Sequence, residues 1–411
     1  MSSDLEFRSI GSLLSEHFSG AWGSDPGQGS SNTTVLRSTD IDDEGHVDLA
    51  RGAQRQLSAR DLSLKWLRAG DILLEASGGG PGKPVGRPAW FADETPVGQY
   101  ATSNFFKVLR ANPDLVDAKY LLYALVLLVK RPEIWRFQQQ TTGITNLKFS
   151  EYLKHVIVTP PLPEQRRIAK MLDALDERIA SHERVVQKLE RSREGLIRDS
   201  LSRKDFGQFL PLGSLADIGA GVTLGSEPSG PGTVARPYLR VANVQDGRLD
   251  LRKIKFVRVR LSDLSRFELQ PGDVLMNEGG DADKLGRGAV WEGQIPGCLH
   301  QNHVFRVRCH LGELNPHYLS LVTGSAVGKR YFLAASKQTT NLATINSQQI
   351  KHFPVPFRSM PLQLQIVEAA AAFAERIEVE RSELAKARLL KSGLMADLLT
   401  GRVRVPAEVV S

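Results

Sequence analysis

Five residues able to bind a metal crowd one short stretch: Cys298, His300, His303, Cys309 and His310. Thiolates and imidazoles are the ordinary ligands of zinc, but their spacing here matches no standard closed site. The run HVFRVRCH alternates like a strand, and the first half of the chain lacks the equivalent ligands. No metal site is therefore expected. A second stretch, GGGPGKP at 78–84, has the glycines and lysine of a phosphate-cradling loop. Ser77 stands where the first glycine belongs, and Pro84 where a hydroxyl should meet magnesium.

Two further stretches suggest chemistry and fall short. NPHY at 315–318 resembles the catalytic loop of adenine methyltransferases, yet it lacks the second proline, and no glycine-rich cofactor loop follows a strand elsewhere. DAKY at 117–120 occupies the matching place in the first half, so both read as helix starts. GDILLEAS spaces two acids as a nuclease would, with Ser77 where the lysine is required. The expectation is a non-catalytic chain with no cofactor of its own.

What remains suits binding. Each half carries a glycine-rich loop with two cations, Lys83 and Arg87, then Lys284 and Arg287. Each also carries an amide-and-hydroxyl loop, Gln139, Gln140, Thr141 and Thr142, then Lys337, Gln338, Thr339 and Thr340. Arg37 and Arg240, from a repeated Leu-Arg pair, complete the candidate DNA-binding set. Arg and Lys suit guanine and phosphate, Gln suits adenine, and Thr suits phosphate or the thymine methyl. These are also ordinary loop residues, and base contact competes with that reading.

The elements that must position these residues come from an internal duplication. Leu36-Arg37 returns as Leu239-Arg240, LRAGDILLEASGG (67–79) as LQPGDVLMNEGG (269–280), and QQTTGITNL (139–147) as KQTTNLATI (337–345). KYLLYAL (119–125) returns as HYLSLVT (317–323), and DERIAS (176–181) as AERIEV (374–379). Such matches recur in order at an offset of about 200 residues, the mark of a structural repeat. Each half reads as a compact α+β domain, 1–158 or 205–358, followed by a long helix, 159–204 or 359–401, with a tail at 402–411. KYLLYAL and HYLSLV read as short helices. SDPGQGSSNTT (24–34) and SEPSGPGTVARP (226–237) read as loops.

The long helices carry a heptad seam. Ile168, Leu172, Leu175, Ile179, His182, Val186, Leu189, Arg193, Leu196 and Ser200 step by four and three. Ile366, Ala370, Phe373, Ile377, Glu380, Leu384, Ala387, Lys391, Leu394 and Leu398 repeat the steps. A parallel pair would set Arg193 against Lys391 in the seam, where like charges are costly. An antiparallel pair places position 168 near 398, Lys391 beside Leu175, and lets cationic stems run along apolar partners with their heads in water. The expectation is an antiparallel coiled coil, a rod of roughly 55 Å with the domains at opposite ends and approximate two-fold symmetry. The competing arrangement packs each helix on its own domain.

Bulk properties agree with an ordinary soluble chain. The 411 residues are 41% hydrophobic with a net charge of +7, which permits nucleic acid without demanding it. Two cysteines make no disulfide framework and fit a reducing cytoplasm. The apolar run YLLYALVLLV (120–129) is too short to cross a bilayer and reads as a buried helix.

With the repeat and PPLPEQRRIAKMLDALDERI in view, the chain resembles the DNA-specificity subunit of Type I restriction-modification systems over nearly its whole length. The GD[IV]L strand and the TT-containing loop add to the resemblance. It implies an α+β fold of two duplicated α/β target recognition domains separated by two long helices in an antiparallel coiled coil. Each domain would read one half of a bipartite site in double-stranded DNA. The helices would space the domains and dock two methyltransferase subunits, joined by a restriction and translocase subunit. S-adenosylmethionine, ATP and magnesium would belong to those partners. The alternatives are a coiled-coil DNA-binding adaptor of a related phage-defence assembly and a methyltransferase in its own right. The second helix begins PLQLQIVEAA, which reads as loss of the Glu-Gln pair and a shortening by two residues.

Overall fold

A computed structural model describes the chain except residues 1–4, 28–31, 43–44, 79–81, 93–99, 142, 202–207, 226–227, 281–284, 287, 339–342 and 406–411. Two compact units result: Met1–His182 with Glu383–Ser411, and Glu183–Ser382.

In the first unit a four-stranded antiparallel sheet runs in the order Leu14–Ser19, Phe106–Ala111, Ile72–Glu75, Pro88–Trp90. Both faces are covered, so its central strand reads as an unbroken apolar run rather than an alternation. Ile72 and Leu74 face the helix Ala118–Val129, and Leu73 faces a second cluster with Leu36, Phe91 and Phe106. A second sheet joins Ala53–Arg55, Thr33–Leu36 and Tyr100–Thr102, and a ribbon of Glu6–Ser9 with Val156–Thr159 closes the domain.

The second unit repeats this plan. Its main sheet is Ala216–Ala220, Val304–Cys309, Asp273–Asn277, Gly288–Val290, its second sheet Lys255–Arg260, Thr233–Leu239, Leu299–His300, and its closing ribbon Phe209–Pro211 with Pro354–Pro356. The architecture is the α+β duplication expected. KYLLYAL and HYLSLV lie in helices capped by Asp117 and Asn315, whose side chains accept backbone N–H groups. Those caps account for the DAKY and NPHY stretches. Among the described residues, no helix is long and apolar enough to cross a membrane.

The segments 24–34 and 226–237 are not wholly loop, because Thr33–Leu36 and Thr233–Leu239 are strands. Val35, Leu36, Tyr238 and Leu239 are buried, and that burial outweighs the loop-like composition before them. Pro237 lies opposite Phe256 in the antiparallel ladder, and the parallel partner Leu299–His300 begins only at Tyr238.

The acids of the GD strands hold the scaffold together. Asp71 receives Arg110 through Nε and Nη2, both at 2.9 Å, and the Arg68 N–H at 2.8 Å. Asp273 receives Arg308 at 2.7 and 2.8 Å and the Gln270 N–H at 2.7 Å. Both carboxylates are buried and fully engaged by these bidentate pairs.

The long helices are Leu162–Ser200 and Met360–Leu398, 39 residues each. Every heptad position named above is buried or half-buried, as the periodicity requires. The pairing within each unit is antiparallel. In the first, Lys391 pairs with Asp176, and Arg178 with Glu383 at 3.5 Å. In the second, Glu190 meets Arg381 at 2.7 Å. The helices also pack on the globular parts, so the two proposed arrangements coexist. Ile168 and Leu172 share the first unit's core with Tyr120, Leu121, Met395 and Leu398. Ile366 shares the second unit's core with Tyr318, Phe353 and Leu201.

Two expectations about the helices need correction. Lys391 does not lead its ammonium group into water along Leu175. Asp176 binds it, and it lies 5.2 Å from the Tyr123 ring, because the fold brings an anion and an aromatic face within reach of the stem. Nor is the second helix shorter or without its glutamine. Gln165 accepts the Asp117 N–H at 2.8 Å and donates to Pro160 O at 2.7 Å. Gln363 accepts the Asn315 N–H at 2.8 Å and donates to Arg358 O at 2.8 Å and Glu313 O at 2.9 Å. Only the glutamate differs, with Leu362 in place of Glu164. Glu164 accepts from Arg404 Nε at 2.8 Å and from the Val405 N–H at 3.0 Å, and the arginine holds its carboxyl below the usual range.

Gln165→Leu strands a buried N–H and a buried carbonyl, as does Gln363→Leu, and each should lower unfolding free energy by about 2–3 kcal/mol. Equal urea midpoints for wild type and variants would refute the staple. His300 is fully buried, and burial holds its imidazole at about 4, below the usual 6.5, while Nδ1 sits 2.6 Å from Val304 O. Below pH 6.5 the unfolded chain takes up a proton that the folded site refuses. Stability should therefore fall by about 2–3 kcal/mol more in wild type than in His300→Gln between pH 7 and pH 4.5, as read from urea unfolding.

Candidate nucleic-acid interface

The two loops singled out in each half are neighbours in space. Gln138–Thr141 and Ile144–Leu147 form a hairpin, and Ser77–Gly78, at the start of the glycine-rich stretch, pairs with its second strand. The second unit builds the same small sheet from Lys337–Gln338, Ala343–Thr344 and Gly279–Gly280. Glycine keeps the contact close in the second unit, while Ser77 holds the matching ladder position opposite Asn146 in the first. A Cβ on Gly279 would lie 3.0 Å from Thr344 Cγ2 and 3.1 Å from Ala343 O. Gly78 adopts φ +136°, a conformation closed to most side chains.

In the first unit Gln138 fastens the glycine-rich stretch to the hairpin. Its Oε1 accepts the Val85 N–H at 2.9 Å, and its Nε2 donates to Val85 O at 3.1 Å and Ile134 O at 3.0 Å. The side-chain amide thus pairs with Val85 as a strand neighbour would. Gln139, Gln140 and Lys83 are exposed beside it, and the hairpin turns at Gly143, φ +88°. These amides offer donor and acceptor together, the pattern that matches adenine in the major groove.

Three of the candidate cations also make contacts within the protein. Arg87 donates to Asp42 O at 2.9 Å, Ile41 O at 3.2 Å and Ser38 O at 3.2 Å, and approaches Glu75 at 3.5 Å. Arg37 clasps Asp40 at 2.9 and 3.0 Å and donates to Arg51 O at 2.8 Å. Arg240 donates to Lys253 O at 3.3 Å, and its N–H is accepted by Asn243 at 3.0 Å. Arg37 and Arg240 follow the strands Thr33–Leu36 and Thr233–Leu239 at matching places, and the Arg37 side chain keeps 41% of its surface exposed beside these contacts. Lys337 is exposed on the second small sheet. Thr141 and Gln338 are placed by their backbone alone. Thr142, Lys284, Arg287, Thr339 and Thr340 lie outside the described residues.

The five candidate metal ligands are dispersed by the fold. Cys298 and Cys309 belong to clusters on opposite faces of the main sheet, and burial pushes both thiols up to about 12. His300 is enclosed at Val304, and His310 lies beside Asp217 and Glu313. Among the described residues, no three His, Cys, Asp or Glu side chains gather as a metal site.

Sequence reasoning passed over the apolar part of this surface. Trp135, at 51% exposure, and Phe105, at 42%, project from the first unit close to its hairpin in the chain and the ladder, with Ile144 on the hairpin itself. The backbone position of Phe105, whose carbonyl accepts the Ala76 N–H, is taken in the second unit by His303, whose carbonyl accepts the Glu278 N–H. There the imidazole Nδ1 meets the Glu278 carboxylate at 2.5 Å. One scaffold therefore presents an apolar ring in one unit and a polar pair in the other. The available signal was a large apolar residue in the polar run PEIWRF.

Comparison with known proteins bears out the resemblance. Residues 62–191 match the Type I restriction modification DNA specificity domain family. The chain is 24% identical over 168 residues to a putative Type I restriction enzyme MjaX specificity subunit of Methanocaldococcus jannaschii, 41% of this chain and 40% of that one. It is 28% identical over 284 residues to the Type I restriction enzyme EcoKI specificity subunit of Escherichia coli K12, 64% of this chain and 60% of that one. The matched stretches thus span less than two thirds of either relative. In fold, the chain is similar to the crystal structure of a Type I restriction-modification S subunit from M. genitalium, with TM-score 0.58 and 16% identity over 97% of this chain and 96% of the other.

Replacing Gln139 and Gln140 by alanine should relax base preference at one half of a DNA site by about 1–3 kcal/mol per lost contact, with the salt dependence unchanged. Selection from randomised duplexes reads the preference. A preference identical to wild type would remove the hairpin amides from the readout.

Proposed function

We propose that this chain is the DNA-specificity subunit of a Type I restriction-modification complex, in which each unit reads one half of a bipartite DNA site. The observation that carries the reading is the repetition of one scaffold with unlike side chains at matching surface positions, Phe105 in one and the Glu278–His303 pair in the other. A duplicated scaffold with diverged surfaces is what two independent half-site readers require. The exposed amides of Gln139 and Gln140 and the lysines Lys83 and Lys337 would meet base edges and phosphates.

The chain itself contributes recognition and no chemistry. The two acids of GDILLEAS are engaged by arginines, Asp71 by Arg110 at 2.9 Å and Glu75 by Arg87 at 3.5 Å. Two methyltransferase subunits would dock on the paired helices, and a restriction and translocase subunit would join them. S-adenosylmethionine, ATP and magnesium would act in those partners. Buried, unpaired Cys298 and Cys309 are compatible with the cytoplasm where such a complex would meet DNA.

Exchange of residues 1–158 for the first domain of another family member should change one half-site and leave the other intact, as methylation-aware sequencing of the host genome would reveal. A change in both halves together would refute independent reading.

A further inference from the structure

The second sheets of the two units differ in a way the small sheets do not account for. Among the described residues, the antiparallel pair in the first unit sets Thr33, Thr34 and Val35 opposite Arg55, Gln54 and Ala53, with a further bridge from Ser24 to Gln56. In the second it is twice as long, from Thr233 opposite Arg260 to Tyr238 opposite Lys255. The longer ribbon has Lys255–Arg260 as its edge strand. Alternation divides that strand cleanly. Val257 and Val259 are buried against Tyr238, Val222 and Leu299, while Phe256, Arg258 and Arg260 share the opposite, exposed face. Pro237, Ala235 and Thr233 stand across from those three, so the face is low apart from the ring and the two guanidinium groups. Phe256 is 67% exposed.

The charge on this ribbon is one-sided. Lys253, Lys255, Arg258 and Arg260 are exposed and have no carboxylate partner among the described residues. Arg258 donates to the Thr233 hydroxyl at 3.3 Å. The nearby acid Asp250 is taken by Arg252 at 2.5 Å. Cations on an edge strand can simply prevent strand addition. An exposed phenylalanine among them works against that purpose, since it adds apolar surface to the same edge.

We infer that the ribbon Thr233–Leu239 and Lys255–Arg260 is a second DNA-contacting element of the second unit, separate from the small hairpin sheet, with Arg258 and Arg260 on backbone phosphates and Phe256 against deoxyribose. Two residues along a strand advance about 6.6 Å, so the arginines reach separate phosphates, and a two-stranded ribbon is narrow enough to follow the major groove. The planar guanidinium pairs with phosphate through two donors. This element adds affinity without reading sequence, and among the described residues the first unit has no ribbon of this length. The inference rests on the DNA-specificity reading above.

The test uses the full chain and duplexes carrying its selected site, with affinity measured against salt concentration. Arg258→Gln with Arg260→Gln should reduce the slope of log affinity against log salt by about 1.8 and weaken binding roughly 60-fold at 0.1 M salt. The preferred sequence should not change. Arg258→Lys with Arg260→Lys, which keeps charge and fold, should retain most of the slope. Normal wild-type binding with an unchanged slope in the glutamine variant overturns the ribbon's role and leaves the specificity reading intact. The same holds if that variant self-associates, which assigns the arginines to edge protection, or if it loses a methyltransferase subunit instead of DNA. A wild-type chain that shows no sequence preference, alone or with its methyltransferase, overturns the specificity reading and the ribbon's DNA role together.

Discussion

Neither unit can close its hydrophobic core with its globular part alone. In the first, Ile168 and Leu172 from one long helix and Met395, Leu398 and Leu399 from the other complete the cluster around Tyr120 and Leu121. In the second, Ile366 and Leu201 do the same around Tyr318 and Phe353. The heptad seam is therefore not an accessory to two finished domains. Its ends are core residues, and burial of apolar surface is the main favourable term in folding. The stretch after residue 383 belongs to the first unit for this reason, although it is far away in the chain.

Buried polar contacts then set how each helix leaves its domain. Gln165 and Gln363 each bind the backbone just ahead of the short buried helix and the backbone just ahead of their own helix. A side-chain amide suits this task because it satisfies an N–H and a carbonyl at once. In the first unit Glu164 adds a hold on Arg404 and Val405, so one motif fixes a domain, a helix start and the segment at Arg404 and Val405. The Asp71–Arg110 and Asp273–Arg308 pairs brace the main sheets in the same manner. Such groups are expensive to leave unpaired in a dry interior, which makes the scaffold tolerant of change only at its surface.

That surface is where the two units part. The small hairpin sheets share their ladder, but Phe105 faces solvent in one and Glu278 with His303 in the other. The second sheets share their central strand, but one continues into a cationic ribbon. Rigid frames with variable loops and strand ends are a common way to alter recognition without altering the fold.

The sequence alone determined the duplication, the short buried helices, the seam and the antiparallel sense of the helix pair. Each is written as a period, an offset or a run along the chain, and the clash of Arg193 with Lys391 in a parallel pair follows from register alone. Gln363 was equally legible, since it stands at the same offset from Gln165 as the other seam residues, and was missed because the surrounding residues differ. Only the tertiary structure decided which polar groups are available. Arg37, Arg87 and Arg240 have the composition of a phosphate site, and each also donates to a carbonyl that the fold brings alongside. The ammonium of Lys391 likewise found Asp176 and the ring of Tyr123, a residue of a different helix. A hydrogen bond is settled within about 3 Å, and neighbours at that range come from parts of the chain that no local pattern connects.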